Sequence, residues 1–297
     1  MIDIRIDSRR AGIFAATGAF LIWGFSPIYY RAVGVAPALE IVAHRVVWSL
    51  VFTLVLVGLS GQLKQVLNIF RDVRVLGTLL LSSLLVSANW LAFIWAVNNE
   101  RALEASMGYF IFPIVMVVLG GMFLKERLSI GQLVALLLVV LGVINLLFGY
   151  SRFPWIALLL AISMGFYGLV RKTVAVEALP GLTMECLLLS PVAVGYLITL
   201  YASGELVFGS MGPGFDLLLA CSALMTALPL ILFTAATRIL RLGTVGLLQY
   251  LNPTCQFLLA VLLFREPFTQ AHLITFLLIW SGLVLFTLDS RKGRSAN

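Results

Sequence analysis

Two stretches, FPIVMVVLGGMFLKER at 112–127 and NPTCQFLLAVLLFREP at 252–267, repeat one pattern 140 residues apart. In each, a proline opens an apolar run that ends in a basic residue followed by glutamate. At the same offset, Arg101 matches Arg241 and Gly142 matches Gly282. Chance agreement between apolar segments is the alternative, but here the basic–acidic pair recurs in register with both proline and glycine. The pattern therefore predicts an internal repeat, with copies at 11–150 and 151–290.

The repeat lies in a chain dominated by apolar residues. Of its 297 residues, 61% are hydrophobic and 11% are charged, and the mean hydropathy is +1.07. Soluble domains average about 45–50% apolar and about 25% charged residues, which excludes an ordinary soluble fold. A membrane helix needs about 20 mostly apolar residues, so the sequence predicts an all-α integral membrane protein. We predict ten transmembrane helices, at 11–31, 39–59, 75–97, 103–124, 129–149, 154–172, 182–202, 215–237, 243–264 and 270–288.

The number of predicted helices also sets the topology. Each copy of the repeat holds five spans, and an odd number turns the second copy upside down in the membrane, which predicts two inverted five-helix repeats. If the N-terminus is cytoplasmic, 15 of the 20 lysines and arginines fall on the cytoplasmic side. The positive-inside rule then places both termini in the cytoplasm. The opposite side holds Arg31, Arg45, Arg101, Arg152 and Arg265.

The chain contains few residues suited to cofactor or enzyme chemistry. It has two histidines and three cysteines, and the cysteines all fall inside apolar runs, which argues against a metal site or a disulfide framework. The motifs of zinc proteases, serine hydrolases and P-loop nucleotide-binding proteins are absent from the sequence. The basic residues are not interleaved with aromatics as in nucleic-acid-binding proteins. We therefore expect no enzyme activity, no cofactor, no metal, no nucleic-acid partner and no direct use of ATP.

A charged cluster begins the second predicted span. Glu40 and His44 are four residues apart and share a helical face, with Arg45 beside them. Ionisable groups inside a membrane are costly and often functional. One interpretation is a gate, a recognition site for an anionic or zwitterionic substrate, or a proton relay. The other is an interfacial ion pair that orients the helix.

Polar and aromatic residues recur in the middle of several predicted spans. An amide that faced lipid would lack a hydrogen-bond partner, and a mid-span proline kinks its helix. We predict helix kinks at Pro113 and Pro253 and a cavity with few charges, suited to a neutral, zwitterionic or amphipathic molecule. The alternative is that the aromatics pack and the amides join helices. The predicted substrate-binding residues are Trp23, Asn89, Trp90, Tyr109, Tyr167, Gln249, Tyr250 and Asn252.

The remaining acidic residues near span ends are interpreted as structural. Glu185 has Arg171 and Lys172 as candidate ion-pair partners, or it lines an inner vestibule. Glu126 and Glu266 follow basic residues at the ends of the fourth and ninth spans. Their expected partners are the neighbouring side chains of Lys125, Arg127 and Arg265.

Five segments of the chain follow the pattern of a known family: IWGFSPIYYR (22–31), AHRVVWS (43–49), NWLAFIWAVNNERALEASMGYF (89–110), TALPLILFTAATRILRLGTVGLLQYLNPT (226–254) and FREPFT (264–269). They resemble the RarD proteins, in the EamA group of the drug/metabolite transporter superfamily. This resemblance implies ten helices, five plus five inverted, in the bacterial inner membrane, and export of amino acids, drugs or metabolites. The sequence departs from the expected pattern at Phe112, where an asparagine is expected before the proline.

These expectations combine into one functional prediction with two rivals. We expect a secondary transporter for a small organic molecule, working by alternating access between the repeats, either coupled to protons or as a uniporter. The first rival is a membrane-embedded enzyme acting on a lipid or lipid-linked substrate through Glu40, His44 and Arg45. The second is a scaffold or receptor, which would not need polar residues at the midplane. The sequence does not determine the oligomeric state.

Overall fold

The computed structural model describes residues 4–98, 102–148, 153–263 and 270–292. Within these ranges all regular structure is helical, as expected where backbone groups must bond within their own segment. A π-helical segment, Leu259–Leu263, follows the twelfth helix. The helices are α1 (Ile4–Ala32), α2 (Ala38–Leu59), α3 (Leu63–Ile69), α4 (Val73–Asn98), α5 (Ala102–Leu124), α6 (Ile130–Phe148), α7 (Trp155–Thr173), α8 (Ala178–Ser203), α9 (Pro213–Ala220), α10 (Ser222–Ile239), α11 (Leu242–Leu248), α12 (Leu251–Leu258) and α13 (Gln270–Lys292).

Among the described residues, six helical segments are long and apolar enough to cross a membrane. Three shorter apolar helices, Gly108–Leu124, Ile130–Asn145 and Leu273–Phe286, fall within further predicted spans. Many large apolar side chains are exposed on the outer surface, as expected of a surface that faces lipid rather than water. The six segments are Ser8–Ala32, Ala38–Leu59, Val73–Ala96, Trp155–Thr173, Ala178–Ser203 and Pro213–Ile239.

The ninth predicted span is not one continuous helix. The chain turns at Gln249 and Tyr250, between α11 and α12. Pro253 has no N–H to donate to the carbonyl of Gln249 four residues earlier, which removes the hydrogen bond that would continue the helix through this point. Pro113, by contrast, lies inside the unbroken helix α5. The two matched prolines therefore have different local effects.

Close helix contacts occur at glycines, as expected for helices that pack in a membrane. A Cβ atom at position 246 would lie 3.0 Å from the carbonyl oxygen of Pro113, where α11 meets α5. A Cβ at position 108 would lie 3.0 Å from the carbonyl oxygen of Ala157, where α5 meets α7. The other main contacts pair α1 with α10 and α12, α2 with α8, α4 with α7, and α6 with α13.

Candidate functional site

A central cavity lies between helices from both halves of the chain. It encloses about 50 Å³ that the centre of a water molecule can reach, within about 550 Å³ of atom-free space that includes its open mouth. Since one water needs roughly 10–15 Å³ on the first measure, the cavity has room for a few waters. The lining residues are Trp23, Ser26, Tyr30, Arg45, Asn89, Trp90, Phe93, Tyr109, Phe112, Met164, Gln249, Asn252 and Gln256.

Most of the predicted substrate-binding residues line this cavity. The structure brings together six of the eight, along with Arg45 from the charged cluster. They come from distant parts of the sequence and meet because α1, α4, α5 and the α11–α12 segment converge here. The six are Trp23, Asn89, Trp90, Tyr109, Gln249 and Asn252.

Two of the predicted substrate-binding residues, Tyr167 and Tyr250, are not among the residues that line the cavity. Both side chains are fully buried in the packed interior. The Tyr167 hydroxyl donates to Glu185 Oε2 at 3.2 Å, and the Tyr250 hydroxyl donates to the carbonyl oxygen of Phe110 at 2.9 Å. Both phenol groups therefore form hydrogen bonds within the packed interior. This agrees with the alternative interpretation, in which the aromatic residues pack rather than line a cavity.

Arg45 is the charged side chain of the cavity wall. Its Nε donates to Thr226 Oγ1 at 2.8 Å, and only 4% of the residue is exposed. Its guanidinium carbon lies 4.6 Å from the ring centroid of Trp90 and 5.5 Å from that of Tyr30. These are cation–π distances. Among the described residues, no carboxylate lies within ion-pair distance of Arg45.

Four side-chain amides line the cavity, and they differ in their hydrogen bonds. Asn89 Nδ2 donates to the carbonyl oxygen of Leu160 at 2.9 Å and to Ser163 Oγ at 3.0 Å. Asn252 Oδ1 accepts from Gln256 Nε2 at 2.9 Å. Gln249 is 1% exposed, and its Oε1 has no hydrogen-bond partner. A buried acceptor without a partner is costly, so Gln249 leaves one polar group in the wall for a molecule in the cavity.

An aromatic cluster lies beside the cavity. The ring of Phe233 lies 5.9 Å from Trp23 and 6.4 Å from Phe112, both of which line the cavity. On its other sides, Phe233 contacts Phe20 at 6.2 Å and stacks on Tyr167 at 6.2 Å. These rings belong to α1, α5, α7 and α10, so the cluster joins four helices beside the cavity.

Glu40 and His44, on α2, lie outside the cavity lining and pack against the connection between α8 and α9. Glu40 is fully buried and accepts hydrogen bonds from the backbone N–H groups of Val207 and Phe208, with donor–acceptor distances of 3.0–3.2 Å. His44 Nε2 is 3.7 Å from Glu40 Oε1, and the imidazole packs on the Phe208 ring at 4.8 Å. This geometry matches the structural interpretation of the pair, while Arg45 points to the cavity.

Glu185 and Glu126 make contacts that join helices. Glu185 Oε1 is 3.6 Å from Arg171 Nε and also accepts from the Ser82 hydroxyl, so Arg171 is confirmed as its partner rather than Lys172. Glu126 accepts from the backbone N–H groups of Leu242 and Gly243.

The expected partners of the two repeat glutamates need one correction. Among the described residues, the guanidinium nearest Glu126 belongs to Arg241, at 3.9 Å, rather than to the adjacent Arg127. Glu266 and Arg265 lie outside the described residues.

Six lining residues were not predicted from the sequence. One of them, Phe112, had been noted only as a departure from the family pattern, and the other five had not been considered. Helical spacing was the available signal: Gln256 is one turn after Asn252, Ser26 is three residues after Trp23, and Phe93 is three residues after Trp90. Met164 carries no polar or aromatic signal and could not have been found in this way. The five missed residues are Ser26, Tyr30, Phe93, Met164 and Gln256.

Comparison with known proteins gives consistent results along the chain. The EamA-like transporter family matches residues 10–148. Protein RarD of Salmonella typhi is 43% identical over 281 residues, covering 95% of this chain and 96% of that protein. An uncharacterized transporter of Vibrio cholerae is 43% identical over 287 residues, covering 97% and 95%. The chloramphenicol-sensitive protein RarD of Pseudomonas aeruginosa is 31% identical over 285 residues, covering 95% of each chain.

A solved crystal structure shares the fold. It superposes with a TM-score of 0.69 at 17% sequence identity, covering 95% of this chain and 98% of that one. The full-length relatives and the apolar helices together identify a multi-pass membrane protein. The chain belongs to the RarD proteins of the EamA-like transporter family, within the drug/metabolite transporter superfamily.

Proposed function

We propose that this protein is a secondary transporter that moves a small organic molecule across the bacterial inner membrane through the central cavity. The observation that carries the proposal is the cavity itself: a space between the two halves with amide and aromatic walls, next to the Phe233 cluster. A pocket of this kind, built partly by a broken helix, is typical of transporter substrate sites. A scaffold or receptor would not need a partly unsatisfied polar wall in the middle of the membrane.

The proposed architecture is ten transmembrane helices in two inverted repeats, 11–150 and 151–290. Helix contacts support this architecture, because a shift of 140 residues in either direction turns each main helix–helix contact into a contact that is also present. The contact of α1 with α10 corresponds to that of α7 with α4, and the contact of α5 with α7 corresponds to that of α12 with α1. The contacts of α2 with α8 and of α6 with α13 each map onto themselves. The hydrogen bond from Tyr250 to Phe110 joins two matched positions.

The proposed mechanism is alternating access. With both termini in the cytoplasm, as proposed, the aromatic cluster around Phe233 would lie at the cytoplasmic end of the cavity and would close it in one of the two states. Rocking of the two halves would separate this cluster and close the opposite end. The proposed contacts with substrate are Trp23, Asn89, Trp90, Tyr109, Gln249 and Asn252. Export, and coupling to protons rather than uniport, are the parts that transport assays must decide.

The membrane-enzyme alternative has no structural support. Its candidate catalytic set was Glu40, His44 and Arg45. Glu40 is engaged by backbone N–H groups of the α8–α9 connection, whereas Arg45 belongs to the cavity wall. The three groups therefore do not converge on one reacting centre.

Counterflow into liposomes tests the transport proposal. Purified protein would be reconstituted and loaded with each of a panel of amino acids, nucleosides and amphenicols, with and without a pH gradient. We expect saturable counterflow of at least one compound class, and a response to the pH gradient if protons are coupled. Ser26→Phe, which fills the cavity, should abolish it, whereas Ser203→Phe at the exposed end of α8 should not. Counterflow that survives Ser26→Phe would refute transport through this cavity.

Cysteine labelling tests the proposed topology. After replacement of Cys186, Cys221 and Cys255 by alanine, single cysteines at Ser8 and Ser210 would be labelled in intact cells with an impermeant maleimide. We expect labelling at 210, between α8 and α9, and protection at 8 until the membrane is opened. The opposite pattern would reverse the orientation. Equal labelling of both would contradict an odd number of crossings between them.

A further inference from the structure

We propose that the transported molecule carries a carboxylate, which Arg45 binds, and a separate hydrogen-bond donor, which Gln249 accepts. This inference rests on the proposed transport function and specifies its substrate class. It starts from the charge balance of the cavity, where an arginine is almost fully buried without an acidic partner among the described residues.

The acid nearest to Arg45 in sequence is unavailable to it. Glu40 is one helical turn away, but its carboxylate accepts hydrogen bonds from Val207 and Phe208 and lies 3.7 Å from His44. Arg45 is held instead by Thr226, through Nε, and by the faces of Trp90 and Tyr30. These contacts orient the guanidinium, but they do not neutralise it. A buried charge in this state is stabilised by an incoming anion.

The geometry of Arg45 favours a carboxylate over a spherical anion. Because Nε is occupied by Thr226, the two terminal nitrogens remain to form a parallel pair of hydrogen bonds. A guanidinium binds a planar carboxylate in this bidentate way. The surrounding rings of Trp90, Tyr30 and Phe93 provide apolar surface for the organic part of the molecule.

The second recognition group is Gln249. Its Oε1 is buried, lacks a partner, and belongs to a side chain that lines the same cavity. The turn at residues 249–250 removes this residue from a regular helix and places it in the wall. An acceptor in this condition selects a ligand that supplies an N–H or O–H group. The oxygen of the neighbouring Asn252 amide already accepts from Gln256, whereas the Gln249 oxygen is still without a donor.

Equilibrium binding to the full-length protein in detergent tests this proposal. The probes are 3-phenylpropanoate, its uncharged amide 3-phenylpropanamide, and 3-phenyllactate, which adds a hydroxyl; binding is followed by tryptophan fluorescence and calorimetry. A hydrogen-bonded ion pair predicts that the acid binds roughly tenfold or more tightly than the amide. Arg45→Gln should remove this preference, Arg45→Lys should retain part of it, and the exposed control Arg74→Gln should leave it unchanged.

Gln249 has its own test in the same assay. We expect 3-phenyllactate to bind several-fold more tightly than 3-phenylpropanoate, and Gln249→Leu to remove that difference. Equal binding of acid and amide by the wild type, including no binding of either, overturns the carboxylate site. So does an acid preference that persists in Arg45→Gln. Melting curves establish that each variant is folded. If Arg45→Gln does not fold, the acid preference of Arg45→Lys decides whether Arg45 binds the carboxylate.

Counterflow of the same probes separates this inference from the transport proposal. If some compound shows counterflow that Ser26→Phe abolishes, but acids have no advantage, transport stands and the substrate class is wrong. If acids bind through Arg45 but no compound crosses the membrane, the transport proposal is wrong.

Discussion

The buried ion pair between Arg171 and Glu185 offers a quantitative test of how this protein is held together. The two residues are 0% and 1% exposed, and their charged atoms are 3.6 Å apart. Ser82 and Tyr167 donate to the same carboxylate, so the cluster joins α4, α7 and α8. Removing one partner leaves an uncompensated buried charge, which costs about 3–5 kcal/mol.

The expected pattern is a strong coupling between the two positions. Glu185→Leu and Arg171→Leu should each lower the apparent melting temperature in detergent by roughly 6–20 °C, from about 3–5 kcal/mol at about 2–4 °C per kcal/mol for a chain of this order of size. The double variant should lose much less than the sum, because neither charge is then left alone. Exposed Glu205→Leu is the matched control and should change little.

Two outcomes would refute this reasoning. If either single substitution costs less than about 1 kcal/mol, the charges are not buried as the structure has them. If the double variant loses the sum of the two single effects, the residues do not interact, and the reduced stability comes from each side chain's separate packing.

Three further predictions concern packing and the connection between α8 and α9. Gly246→Val should severely reduce the yield of folded protein, because a Cβ there lies 2.7 Å from the Met116 Cβ and 3.0 Å from a backbone oxygen. The control Gly195→Val should not, because a Cβ there meets nothing within 4 Å. Equal size-exclusion profiles of the two variants would contradict this prediction. Glu40→Gln should speed proteolysis of the 204–212 segment, since a neutral amide accepts its backbone hydrogen bonds more weakly; unchanged cleavage rates would show that the carboxylate does not hold it. Tyr250→Phe should cost about 1 kcal/mol of stability by melting curve without altering probe binding, and a changed binding constant would return Tyr250 to the substrate site.

Much of the fold follows from local signals in the sequence. Long apolar runs separated by short polar segments predict helices, and each predicted span overlaps a helix in the structure. The signal is strong because a lipid-facing backbone has no alternative to internal hydrogen bonds. The break in the ninth span was harder to locate. Pro253 indicated a kink, but the turn falls earlier, at residues 249–250, because Pro253 has no N–H to bond the Gln249 carbonyl as in a regular helix.

The candidate site was predictable in composition but not in membership. Polar and aromatic residues within apolar spans indicated a cavity, and six of the eight chosen residues line it. Tyr167 and Tyr250 were chosen by the same rule, yet each finds its partner in the packed interior. A tyrosine in the middle of a span fits that rule whether it lies in the cavity wall or in the packed interior. The sequence does not show which face of the helix points to the cavity.

By itself, the sequence determined the membrane environment, the helical structure and the family of this protein, because these depend on runs of residues and their order. Tertiary structure decided the division of the Glu40, His44 and Arg45 cluster. The three side chains are neighbours on one helix. In the folded chain, however, Glu40 accepts hydrogen bonds from Val207 and Phe208, whereas Arg45 lies between the rings of Trp90 and Tyr30. Which charge remains unmatched beside an open cavity depends on contacts between distant helices, and those contacts exist only in the folded chain.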